Sequence, residues 1–184
     1  MNNALKMYEE SNNVASIHGY VYPIKNLPET FFLRGADCWG WATWKRAWSS
    51  FEPNGKKLYN QLKVQKLEKT SNFDNSYNYS GMLKSQIAGK NNSWAIRWYY
   101  SAFLNNMITL YPGKSYIKNI GFGEEATHCS SNGDVFSGEL NKSATFIQID
   151  TLESKVARKK VTLYFRSIKV SFLLKLKTKL KSLL

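Results

Sequence analysis

All six tryptophans of this 184-residue chain fall in two short windows, 39–48 and 94–98. Trp39 and Trp41 flank Gly40, a turn residue, where indole rings tend to line a surface. Rings of this kind stack on the apolar faces of sugars while neighbouring polar groups bind the hydroxyls, so carbohydrate is the natural ligand class. Trp44, Trp48 and Trp98 read equally well as core residues. Arg97 lies between Trp94 and Trp98, where its guanidinium could stack on the indoles, hold a phosphate, or form a salt bridge beside a buried ring. His18 ends an apolar run and reads as structural. His128, in Thr127-His128-Cys129 of a polar loop, is placed to ligate a metal or grip a phosphate. Neither Cys38 nor Cys129 has a CxxC neighbour, so a zinc site has no support. No Gly-x-Ser-x-Gly elbow, Walker loop or dinucleotide fingerprint is present.

The elements that must position these residues follow from pattern and punctuation. Short strands are expected over 14–17, 30–33, 107–111 and 115–120, with Pro112-Gly113 as a turn between the last two. Helices are expected over 42–49, 56–69, 79–88 and 93–105, the last from Trp94, Trp98 and Ala102 at i, i+4 and i+8. Residues 4–10 read as the end of a helix, and 121–138, rich in Gly, Ser and Asn, as a loop. The fold class is therefore α/β (α+β): a partial mixed sheet carrying about four helices and a C-terminal helix.

Charge divides the chain in two. The net charge is +13, yet residues 155–184 hold ten basic residues and no acidic one, leaving the rest at +3. We therefore read residues 1–150 as one domain and 151–184 as a basic tail. On a helical wheel Phe165, Ile168, Phe172, Leu173, Leu176, Leu180, Leu183 and Leu184 share an arc, with Lys175, Lys177 and Lys181 off it. That pattern suits an amphipathic helix on an anionic membrane surface. The stretch 175–181 also alternates at period two, but Leu and Lys favour the helix. A phosphate-binding arm has no use for eight large apolar residues on one arc, so nucleic acid is not the expected partner. No apolar run approaches the roughly 20 residues that span a bilayer, and the residues MNNALKMYEESNN, lacking an apolar stretch, are not expected to act as a secretory signal. A cytoplasmic protein, peripheral on the inner membrane surface, is the expectation.

Four motifs stand in a specific order: Phe31-Phe32-Leu33 running into CWGWATWKRAW, then GMLKSQIAGKNNSWAIRWYYSAFLNN, then LYPGKSYIKNIGF, then THC. Together they resemble the C-terminal half of bacterial family 2 glycosyltransferases of GT-A fold, over residues 4–129, about two-thirds of the chain. The resemblance implies sugar transfer from a nucleotide-sugar donor to a glycan or lipid-linked acceptor in polysaccharide biosynthesis. It implies that Trp39, Gly40 and Trp41 border the sugars, and that Trp94, Arg97 and Trp98 belong to the helix behind the acceptor. It places His128 where a late histidine helps an Asp-x-Asp motif hold Mg or Mn and the diphosphate.

The departures from the family pattern are equally specific. The nucleotide-binding half and its Asp-x-Asp have no counterpart here, which implies a truncated or split enzyme, inactive alone, completed by a separate N-terminal half. Relatives often carry Asp just before Ser-Trp, where this chain has Asn92. An amide can orient a hydroxyl but cannot take its proton. Asp37 is then the nearest candidate base, and Asn78 is another position where an acid would be expected. Without acidic ligands His128 alone would not hold the metal usefully. The alternative reading is a non-catalytic glycan-binding or complementing module at the membrane surface. An unpaired apolar sheet edge is a further expectation, since the N-terminal sheet half is lacking.

Overall fold

The structure, a computed structural model, describes residues 1–118, 136, 138, 140, 141 and 146–181. It is mixed α/β. Four strands form one sheet: β1 (Val14–His18), β2 (Thr30–Arg34), β3 (Trp41–Thr43) and β4 (Ile108–Pro112), in the order β2-β4-β1-β3. The central pair β1 and β4 is parallel, and the outer strands β2 and β3 run antiparallel to their neighbours. Among the described residues there are seven helices: α1 (Asn2–Met7), α2 (Lys45–Trp48), α3 (Gly55–Val64), α4 (Glu68–Ser71), α5 (Tyr79–Ile87), α6 (Trp94–Leu104) and α7 (Lys155–Lys181).

Every residue of β1 and β4 is buried, as central parallel strands covered on both faces must be. One face sets Val14, Ile17, Phe32, Ile108 and Leu110 against Ala4 and Tyr8 of the α1 region and Phe146. On the other face Phe31, Leu33 and Tyr111 pack with Phe73 and with Ala157, Val161 and Phe165 of α7. The cationic tail thus begins inside the core. Burying a side chain such as Phe165, 1% exposed, contributes about 2–3 kcal/mol. Leading into α7, the Ser154 amide donates to Phe32 O (2.9 Å) and Glu153 Oε1 accepts from the Arg34 amide (3.0 Å). These two residues cover the free edge of β2, so this edge of the sheet is not bare.

Three local expectations are corrected. Residues 41–43 extend to pair with β1 (His18↔Trp41, Ser16↔Thr43), held by Thr43 Oγ1 on Ala15 O at 2.6 Å, so α2 starts only after Trp44. The helix expected over 56–69 breaks at Lys66, which takes a left-handed φ of 56° while the Leu67 amide reaches Leu62 O. That is a Schellman closure without its usual glycine. Residues 115–118 form no strand: the Tyr116 amide turns onto Gly19 O (2.8 Å), and Ser115 Oγ donates to Ile117 O (2.7 Å).

Candidate functional site

Between β2 and β3 the chain must pass from one edge of the sheet to the other, and residues 35–40 do so across its face. Gly35 starts the crossing with φ 95°, a conformation L side chains rarely adopt, and with the Tyr99 ring where a Cβ would stand. Its amide donates to Met107 O (2.9 Å), and its carbonyl accepts from Thr109 Oγ1 (2.8 Å). Thr109 Oγ1 also lies 2.7 Å from Ser16 Oγ. Ala36 is buried against Ala15, Trp98, Ala102 and Met107. The Trp39 amide donates to His18 Nε2 (2.9 Å), while His18 Nδ1 meets Tyr20 O at 2.8 Å. Gly40 ends the crossing with φ 56°, its carbonyl accepting from the Gly19 amide (2.8 Å).

Asp37 stands mid-crossing and half-buried. Its Oδ1 accepts from the Cys38 amide at 2.8 Å. Its Oδ2 faces the Tyr22 hydroxyl at 3.5 Å, and that hydroxyl lies 3.5 Å from the Tyr79 hydroxyl. Tyr79 stacks on Tyr99 (4.3 Å, 15°) and packs on Tyr77 (4.6 Å). Tyr22 packs edge-on against Phe165 of α7 (4.9 Å), with Tyr164 at 5.9 Å. Burial first, then the Tyr79 and Asp37 neighbours, holds the Tyr22 phenol well above its ordinary value. Burial followed by Asp37 does the same to Tyr79 and Tyr111. These phenols are therefore neutral donors at physiological pH, set around a carboxylate and flanked by ring faces. Such a wall can bind a hydroxyl-rich ligand and accept a proton from it. Burial, reinforced by Asp37, pushes the Cys38 thiol up to about 12, which leaves it inert as a nucleophile.

The residues singled out from the sequence sort into two groups. Trp39 joins the tyrosines, edge-on to Tyr20 (4.8 Å) and near Phe136 (5.9 Å). Trp41, Trp94 and Trp98 converge with Trp48 in a second aromatic group, with centroids 5.0–6.0 Å apart. The two sequence windows are thus neighbours in space. Trp98 is fully buried and its indole N–H finds no acceptor among the described residues, whereas Trp48 and Trp94 are 38% and 42% exposed. Arg97 fastens α6 to the segment leading into α3, donating from Nη1 to Pro53 O (3.1 Å), and its Nε donates to Ser93 O (3.2 Å) at the helix's own N-cap. It makes no salt bridge among the described residues. Asn92 is exposed, just before Ser93, whose Oγ caps α6 by accepting from the Ile96 amide (3.3 Å). Asn78 is likewise an N-cap, accepting from the Gly81 amide (3.1 Å).

His128 lies outside the described residues. Among the described residues no three His, Cys, Asp or Glu side chains gather as a metal site, and both ring nitrogens of His18 are already engaged. These residues do not fit a divalent ion. The tyrosine wall itself escaped the sequence reading. Its signal was the pairs Tyr20-Val21-Tyr22 and Tyr77-Asn78-Tyr79, in each of which two rings stand one residue apart.

No protein-family model, curated protein or solved structure matches this chain.

Proposed function

We propose that these residues form the acceptor-side part of a family 2-type glycosyltransferase, which moves a sugar from a nucleotide-sugar donor to a glycan or lipid-linked acceptor. The observation that carries the reading is Asp37, set in the crossing loop beside neutral phenols and beside Trp39. As the acceptor hydroxyl oxygen bonds to the anomeric carbon of the donor, its proton passes to Asp37 and the nucleoside diphosphate leaves with the bonding pair. Tyr22 and Tyr79 orient the hydroxyl; Trp39 offers a face to the sugar ring. Asn92, an amide, takes no proton.

A divalent ion, Mg or Mn, neutralises the leaving diphosphate in such enzymes. The 184 residues contain no Asp-x-Asp, so donor and metal binding fall to a nucleotide-binding part outside them. No helix among the described residues is long and apolar enough to cross a membrane. The distal half of α7 instead docks on the anionic inner membrane surface, each Lys or Arg there contributing about 1 kcal/mol.

The test is binding of oligosaccharides to the purified chain, read by tryptophan fluorescence and calorimetry. Binding that is weakened at least tenfold by Asp37→Ala and Trp39→Ala supports the assignment. A folded chain that binds no saccharide overturns it. Turnover of a nucleotide sugar with Mn by the pure chain would overturn the division into donor and acceptor parts.

A further inference from the structure

Among the described residues that touch the crossing loop, His18 meets it with an imidazole, and the partners of that ring leave it one protonation state. The Trp39 amide can only donate, so Nε2, 2.9 Å away, holds a lone pair. The Tyr20 carbonyl can only accept, so Nδ1, at 2.8 Å, holds the proton. The ring is 0% exposed and rests on Tyr111 of β4 (4.9 Å) and against Tyr20 (6.2 Å). Gly35 and Gly40, at the two ends of the crossing, are fixed by Met107 O and by the Gly19 amide. At its middle, beside Asp37, the Trp39 amide is tied to the sheet through the His18 ring.

We infer that His18 is a positioning residue for Asp37: its neutral imidazole clamps the 37–39 turn to the end of β1, and a proton on Nε2 opens the clamp. A protonated ring would set two N–H groups facing each other across 2.9 Å, at a side chain that is 0% exposed. The titratable groups around the ring are Asp37 of the crossing loop, Tyr20 after β1 and Tyr111 of β4; Trp41, its register partner in β3, does not titrate. Burial, the largest influence, lowers the His18 pKa, and the Asp37 charge opposes it without prevailing. The clamp is closed at neutral pH and opens in acid. A histidine here does two things no aliphatic residue can, accepting from one backbone segment while donating to another, and it does so edge-on to Tyr111.

The role given to Asp37 rests on the proposed transferase, but the clamp is tested without any ligand. In the full chain labelled with nitrogen-15 at histidine and tryptophan, the expected state at about pH 7.5 is a protonated Nδ1, an unprotonated Nε2 and a Trp39 amide protected from hydrogen exchange. Below the His18 titration the Trp39 amide should lose at least tenfold of its protection, while the Trp98 amide within α6 keeps its own. His18→Gln offers an acceptor to Trp39 and a donor to Tyr20, so it should keep the protection and abolish the pH step. His18→Phe keeps a ring but neither bond, and should leave the Trp39 amide unprotected throughout. If that variant does not fold, the wild-type titration and His18→Gln still decide. A proton found on Nε2 at neutral pH, or a Trp39 pH step that survives in His18→Gln, overturns the clamp. Absence of saccharide binding with the clamp signals intact refutes the transferase reading and leaves the clamp standing.

Discussion

Phe165→Ala separates a tail that hangs from the protein from one that begins inside it. Phe165 is 1% exposed, with ring centroids 4.5 Å from Tyr77, 4.9 Å from Tyr22 and 5.3 Å from Phe73. Deleting its ring removes these aromatic contacts and leaves a cavity between α7 and the sheet, which costs about 3–5 kcal/mol. Leu163, on the same helix, is 52% exposed, and Leu163→Ala should stay within about 0.5 kcal/mol. Urea unfolding reads both, followed through the fluorescence of the Trp98 cluster, which is distinct from the core cluster of Phe165. With a slope of about 1–3 kcal/mol per molar urea, the Phe165 variant should lose at least about 1 M in midpoint. An arm that merely trails from the domain would make both substitutions neutral. A loss below about 1 kcal/mol for Phe165→Ala would refute the packing argument and detach α7 from the wall around Asp37.

Other outcomes follow from the same geometry. Thr109→Val strands the Gly35 carbonyl and the Ser16 hydroxyl, and should cost about 1–3 kcal/mol in urea unfolding. Because the folded His18 resists protonation and the unfolded one takes a proton near 6.5, the unfolded state binds more protons below that pH. Stability should therefore fall as pH drops below about 6.5, and His18→Gln should remove that loss from the thermal melting profile. Cys38 in a Cys129→Ser background should label at least tenfold more slowly at about pH 8 than a free thiol, since its own titration lies near 12. Flotation with anionic vesicles should weaken steeply with added salt and vanish with neutral lipid, whereas salt-independent flotation would remove the electrostatic docking.

Much of the fold can be read from local pattern, and the reason differs by element. Helix α6 announces itself through Ser93 as cap and apolar residues at helical spacing. Strands β1, β2 and β4 are short apolar runs bounded by turn residues, and they form where expected. Residues 41–43 could not be placed this way. They sit between Gly40 and a run of helix formers, and only pairing with Ser16, Ile17 and His18 makes them a strand. At the site, the tryptophan windows were visible, and so was the structural nature of His18. The tyrosine wall was not, because Tyr22, Tyr77, Tyr79, Tyr99 and Tyr164 come from four separate segments that only tertiary packing unites.

Three polar residues in otherwise apolar strands explain how the site is placed. Ser16, His18 and Thr109 are each 0% exposed, and a buried polar group without a partner costs about 1–3 kcal/mol. On one face of the sheet they find one another and the crossing loop: Gly35 O through Thr109, and the Trp39 amide through His18. Their requirement for partners fixes the track of residues 35–40 and hence the position of Asp37. The same wall is closed by Tyr164 and Phe165, which ride on a helix of 27 residues, about 40 Å long. On the proposed reading, the cationic end of that helix meets the membrane, while Phe165 in its first half packs on Tyr22, whose hydroxyl faces Asp37. Docking then sets the orientation of Asp37 to the lipid surface through one continuous helix. A helix-breaking proline at Ser171, about one turn beyond Ile168, the last described side chain packed on the core, should leave saccharide binding unchanged while uncoupling vesicle binding from any effect on the site. Loss of saccharide binding in that variant without vesicles present would refute the separation of the two roles along α7.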